Sequence, residues 1–281
     1  MISIIIPANN EEKVIATALN ELVDGAANGE LEVIVVCNGC TDNTAQVVAS
    51  FGSAIRCIKT EIASKANALN LGDAAANSFP RFYQDADVVL SLDAVRLVAQ
   101  VLRSGRFLAA APRMHIDLRK ASWPVRAYYE VWQQLPYVRE GMIGVGIYAL
   151  SREGRNRFLK FPEIIADDGY IRALFQTNER TSVDSCHSLV RAPASLAGLL
   201  KIKTRSRLGR YELKMKFPEL IQNEEKHYSN ALFGLLSQAH LLTKLPVYLL
   251  VNLLTRFRAR RYARLQGFTG WERDDSSRSI A

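Results

Sequence analysis

A chain of 281 residues, 48% hydrophobic and 23% charged, can bury a substantial core, either as one large domain or as a domain with an appendage. That composition excludes a disordered tail. The net charge of +8 is uneven: the first 200 residues hold 20 Lys and Arg against 21 Asp and Glu, and the rest hold 16 against 7, so an anionic partner is expected at the last third.

The opening MISIIIPANNEE meets acids directly after a short apolar run and has no basic region before it, which predicts neither a secretory signal nor a membrane span and places the protein in the cytosol. Ile2 to Ile6 reads as a fully buried strand. Glu11 to Val23 follows as a helix, with Val14, Ile15, Ala18, Leu19 and Leu22 as its apolar face. Glu32 to Val36 repeats the strand signal. Gly39, Thr41, Asp42 and Asn43 supply turn and cap chemistry for a helix through Ala45, Val47 and Val48, and Ala54 to Ile58 supplies a third strand. This βαβαβ opening predicts an α/β fold, a mostly parallel sheet flanked by helices, with ligands at the carboxyl ends of the strands.

Four cysteines, Cys37, Cys40, Cys57 and Cys186, suit a reducing compartment. The spacing of Cys37 and Cys40 also fits a redox or zinc pair, but neither a second close pair nor a nearby His completes four ligands. Neither GxGxxG after the first strand nor GxxxxGK[ST] occurs, which argues against a dinucleotide oxidoreductase and a P-loop phosphotransferase. Lys65, in SKANALN, precedes a small-residue helix and is placed to reach a phosphate. In FYQDADVVLS, Asp85 and Asp87 lie one residue apart, and in an extended segment they share a side and suit a cation. The alternative is a solvated turn closing a strand.

Gly141 to Gly146 allows close backbone approach to an acceptor or a tight bend before a strand, Ile147 to Leu150. Asp167 and Asp168 stand before Gly169 and an apolar helix, Tyr170 to Phe175, where they also complement a helix N-terminus. Further on, Lys201, Lys203, Arg205, Arg207 and Arg210 are expected on a mobile loop or a solvated helix face. The run Leu241 to Leu265 is interrupted by Lys244, Pro246 and Asn252, too short in its apolar part to span a bilayer. Leucines followed by Arg256, Arg258, Arg260, Arg261 and Arg264 suit a membrane interface, the alternative being a helix packed on the same chain or on a second subunit. The organisation expected is a catalytic domain over 1–230 and a helical, basic extension over 231–281, loosely ordered from Trp271. Interleaved stacking aromatics beyond Tyr211 and Tyr262 are lacking, so nucleic acid is not an expected partner.

Taken in order, IIIPANNEE, VIVVCNGCTDNT, SKANALN, QDADVV and IIADDGY resemble the family 2 glycosyltransferases of the GT-A fold, over roughly residues 1 to 175. The resemblance implies an inverting transfer from a nucleoside-diphosphate sugar to a glycan or polyprenyl-linked acceptor, in surface polysaccharide or glycolipid synthesis at the inner face of the membrane. It makes Asp87 the ligand of Mg²⁺ or Mn²⁺, with Asp85 assisting there or facing the ribose. It assigns Pro7, Ala8, Asn9, Glu11 and Asn38 to the nucleoside pocket, Lys65 to phosphate, and Arg207 and Arg210 to a basic segment closing over the diphosphate. Asp168 becomes the base, with Asp167 tuning it. The chain departs from the family where Asn9 replaces a common aromatic residue and Cys37-Asn38 replaces a pair of aspartates, so the base is left open between uracil and others. It also lacks QxxRW, which implies one sugar per cycle. A nucleotidyltransferase, an inactive scaffold at a membrane and a homo-oligomer stay open as alternatives at this point.

Overall fold

The computed structural model describes residues 1–142, 145–221, 238–265 and 267–268. Strand β1 (Ile2–Ala8) is buried along its whole length, as an apolar strand covered on both faces must be. It pairs in parallel with β2 (Leu31–Asn38) and β4 (Arg81–Gln84), and β2 pairs in parallel with β3 (Ile55–Thr60). Beyond β4 the sheet continues through β6 (Ile147–Leu150), antiparallel, then β5 (Ala109–Asp117) and β7 (Arg180–Arg191), giving the order β3-β2-β1-β4-β6-β5-β7.

Helices join the strands: α1 (Ile15–Val23), α2 (Thr44–Ala49), α3 (Lys65–Ala75) and α4 (Leu92–Arg103). The first begins at Ile15, later than the expected Glu11, because the backbone N–H of Glu11 bonds Thr44 Oγ1 at 2.8 Å and that of Glu12 bonds Asp42. Those donors fix a turn instead. On α4 the buried residues Leu92, Val95, Val98, Ala99 and Leu102 follow helical spacing, Ser91 caps its start, and Asp93 and Arg103 match the helix dipole. Gly72 brings α3 close to the sheet, since a Cβ there would sit 2.5 Å from Ile5.

A second apolar core lies apart from the sheet. There α5 (Trp123–Trp132) packs with α9 (Leu196–Lys216) and with the last described helix, Leu245–Leu265, through Val125, Tyr128, Leu199 and Val251. Between these come the short α6 (Pro136–Arg139), α7 (Arg152–Arg155) and α8 (Asp167–Leu174). The basic stretch Lys201–Tyr211 therefore lies inside a 21-residue helix, not on a mobile loop. The Ser195 hydroxyl starts that helix by accepting from Gly198 N–H. The last helix turns Val251, Thr255 and Ala259 inward and leaves Leu249, Leu250, Leu253, Leu254 and Phe257 exposed. No described helix is long and apolar enough to cross a membrane. The boundary expected at residue 230 and the tail from Trp271 lie outside the described residues.

Candidate active site

The carboxyl ends of β1, β2 and β4 converge on one edge of the sheet, as a parallel sheet requires. At the first of these, side-chain amides lace the two strand ends together. Asn9 donates to the carbonyl of Asn38 at 2.6 Å, and Asn38 donates to the carbonyl of Ala8 at 2.9 Å. Asn10 takes φ 55° and accepts from Thr41 N–H. Ala8, Glu11 and Asn38 are buried, so this pair of loops forms a fixed wall. The thiols of Cys37 and Cys57 approach to 3.8 Å, and all four cysteines are free. Burial and the neighbouring sulfurs push the Cys37 thiol far up, so it stays protonated and unreactive.

Asp85 and Asp87 follow the end of β4 at Gln84 in a turn, closed by the Val88 N–H bonding the carbonyl of Asp85 at 3.1 Å. The extended segment expected here does not form, because that bond ends the strand. Both carboxylates are half-buried, and Asp85 lines the cavity described below while Asp87 stands beside it in the turn. Gly146 holds the turn from the other side, its carbonyl accepting from Asp85 N–H at 2.8 Å. It has φ 66°, and a Cβ there would meet Val88 at 2.4 Å, so only glycine fits.

Lys65 opens α3, where the Ser64 hydroxyl caps the helix by accepting from Asn67 N–H at 3.1 Å. Its ammonium lies 2.7 Å from Asp85 and 3.0 Å from Asp167. One lysine thus joins three separate motifs. Burial alone would favour the neutral amine, yet Asp167 and Asp85 outweigh it and hold Lys65 protonated well above its ordinary range. Burial pushes the Asp167 carboxyl up to about 6 against the pull of Lys65, with Asp168 and Asp85 adding to the rise. Asp167 is 4% exposed, whereas Asp168, the next residue in the first turn of α8, is exposed and accepts from Gly169 N–H at 2.7 Å.

Neighbouring elements fix this arrangement. Glu212 of α9 accepts from Ile165 N–H at 2.8 Å, and Gly209 lets the same helix touch Ala166. Under α3, Asp73 receives Arg81, Arg155 and the hydroxyl of Tyr83, all within 2.8 Å. Burial would raise its pKa, but those bonds keep it below the usual carboxylate range. This ties α3, and so Lys65, to β4.

Pro7, Lys65, Asp85, Asp167 and Asp168 surround one small cavity, together with Gln84, Gly146 and Tyr148. Three buried polar atoms on its wall find no hydrogen-bond partner among the described residues: Asp167 Oδ2, Gln84 Oε1 and Tyr148 Oη. Such atoms are costly unless a ligand or water meets them. Tyr148 and Gln84 were not evident from sequence, where both sit in apolar strand patterns. Arg207 and Arg210 lie elsewhere, lining a different cavity on α9. Among the described residues no group of three or more His, Cys, Asp or Glu is set to hold a metal.

A sequence-family model for glycosyl transferase family 2 matches residues 3–169, and the chain belongs to that family. A search of curated protein sequences finds no match. Among solved structures, the mannosyltransferase PcManGT of Pyrobaculum calidifontis, in complex with GDP-Man and Mn²⁺, is similar with a TM-score of 0.62 at 18% identity, over 94% of this chain and 75% of that one. TarS of S. aureus (residues 1–349), in complex with UDP-GlcNAc, gives 0.56 at 16% identity, over 99% and 89%. Glucosyl-3-phosphoglycerate synthase of Mycobacterium tuberculosis, with Mn²⁺, UDP and phosphoglyceric acid, gives 0.54 at 19%, over 76% and 78%. At these identities the likeness is one of fold.

Proposed function

We propose that this chain is an inverting, metal-dependent glycosyltransferase that moves a sugar from a nucleoside-diphosphate donor to a hydroxyl of a glycan or polyprenyl-linked acceptor at the inner face of the membrane. The observation that carries the reading is the bridge of Lys65 between Asp85 and Asp167, in a cavity whose wall holds three unpaired polar atoms.

Asp85 and Asp87 offer only carboxylate oxygens, the donor type that suits Mg²⁺ or Mn²⁺, and the diphosphate and water would complete the shell. When bound, the cation would neutralise the charge that grows on the leaving diphosphate. Lys65 keeps Asp85 oriented and adds positive charge beside the same phosphates. Pro7, Ala8, Asn9, Glu11 and Asn38 form the wall toward the nucleoside, with their amides committed to shape. Asp168 stands at the open side, where an acceptor hydroxyl can reach it and lose its proton to the carboxylate as it attacks. Asp167, held by Lys65, positions the start of α8 and hence Asp168. The exposed leucines of the last helix, set beside Arg256, Arg260, Arg261 and Arg264, support a membrane-facing role for the extension.

The test is donor binding from a panel of UDP, GDP and dTDP sugars with and without Mn²⁺, repeated with Asp87→Asn. We expect one base to be preferred and the Mn²⁺-dependent part of the affinity to fall on the order of 10²-fold in the variant. A donor affinity that ignores both Mn²⁺ and the substitution would overturn the reading.

A further inference from the structure

Along α9, Lys203, Arg207 and Arg210 recur at helical spacing and share one face. That face meets α5 and the last helix, and the three enclose a cavity of about 460 Å³. Arg256 of the last helix adds a fourth cation, and no carboxylate of the described residues lines the cavity. Tyr128 and Trp132 of α5 supply its aromatic wall. The Lys203 ammonium lies 4.0 Å from the ring centre of Trp132 and 4.8 Å from that of Tyr129.

This charge is poorly compensated. Burial, then Arg210, push Lys203 down to about 7. Arg207 donates one N–H to Asn252 at 2.9 Å, while its buried Nε–H finds no acceptor among the described residues. An anion inside the cavity would meet both needs. The opening has a second character. Leu249 and Leu253 line the cavity yet are 48% and 50% exposed, and Leu250, Leu254 and Phe257 continue the apolar surface along the same helix.

We propose that the cavity between α5, α9 and the last helix binds the phosphate headgroup of an amphiphile, whose hydrocarbon chain lies on the exposed leucines at its mouth. Charge complementarity selects the phosphate, and the apolar rim selects a lipid over a free phosphate. Tyr128 and Trp132 then stack against the glycerol or sugar unit next to the phosphate. The inference rests on the membrane reading given above, and it assigns the extension a specific ligand site.

Calorimetric titration of the full chain, without donor or metal, tests it. The probes are dihexanoyl phosphatidic acid below its micelle concentration, dihexanoyl phosphatidylcholine, glycerol phosphate and inorganic phosphate. We expect saturable one-to-one binding of the phosphatidic acid, with the other three at least about tenfold weaker. Lys203→Met and Arg207→Gln should each weaken it by about tenfold, as loss of a charge-assisted bond does. Leu253→Ser should weaken the phosphatidic acid alone. Arg256→Gln, at the exposed rim, carries the same test if a substitution inside the cavity unfolds the chain.

Binding should also take up a proton at pH 8, because the anion restores the charge of Lys203. The groups facing that lysine are Arg207 and Arg210 on its own helix, Tyr128 and Tyr129 on α5, Tyr137 of α6, and Tyr248 and Arg256 on the last helix. Burial pushes the hydroxyls of Tyr128, Tyr137 and Tyr248 upward, away from neutral pH. Glycerol phosphate binding as tightly as the phosphatidic acid would replace the lipid by a soluble phosphate and overturn the proposal. So would equal affinity for phosphatidylcholine, or unchanged binding in the Lys203, Arg207 and Arg256 variants. Failure of donor binding leaves this result intact, since the titration contains no donor.

Discussion

The molecule gathers two groups of charge, and they are built in opposite ways. The acids at the edge of the sheet stand at strand and helix ends, where backbone geometry brings Asp85, Asp167 and Asp168 together and one lysine joins two of them. The cations of the second cavity stand on the sides of helices and have aromatic rings in place of counterions. The first site is partly neutralised from within, one lysine against three carboxylates. The second depends on what enters it.

Three substitutions sharpen this contrast. The largest effect is expected from Asp168→Asn, which should lower kcat by about 10² to 10⁴ while leaving donor affinity near its starting value, because it removes only the proton acceptor. Single-turnover kinetics beside a donor titration would check it; an unchanged kcat would move the base to another residue, Asp167 first. Lipid phosphate binding in the same variant should not change.

Next comes Asp167→Asn, read as stability against pH. The carboxyl is raised from 3.8 to about 6 on folding, so the folded state holds its proton longer and the group destabilises the fold increasingly as pH rises through that window. Above pH 6 the cost is on the order of 2 to 3 kcal/mol. Denaturant melts should show the variant gaining on the parent from pH 4 to pH 7. A constant difference across that range would mean that Asp167 is ionised with its ordinary affinity for protons.

An effect of opposite slope belongs to Lys203→Met. Here the folded value of about 7 lies below the ordinary 10.5, so the penalty is full below pH 7 and fades as the pH climbs toward the unfolded value. The variant should be more stable than the parent at pH 7, with the gain disappearing by about pH 10. The indole of Trp132 already favours the charged form and so limits how far the pKa falls.

How much could be read in advance follows the same division. The parallel opening and the strand Ile147–Leu150 were legible from their apolar patterns, and the separate motifs holding Asp85, Asp167 and Asp168 meet at one cavity because strand and helix ends place them there. The turn at Asp85 was not legible, since its shape depends on Gly146, far along the chain. Tyr148 looked like any core residue in IYAL, and only the packing leaves its hydroxyl at the cavity without a partner. Arg207 and Arg210 were visible as charge, but their surroundings come from α5 and the last helix. A local pattern could not supply those partners.

The ladder between β5 and β7 changes register at Pro112, where β7 carries Asp184, Ser185 and Cys186 extra before Arg113 finds His187. Past that bulge only two strands continue, and they lead into α5 and α9. The bulge does not isolate the far end of β7 from the acids: beyond it Leu189 exchanges backbone hydrogen bonds with Val89, two residues from Asp87, at 2.9 and 3.3 Å. Ser188 also donates to the carbonyl of Val145, next to Gly146. A change in the helices that moved this end of β7 would therefore be felt at the turn that holds Asp85 and Asp87.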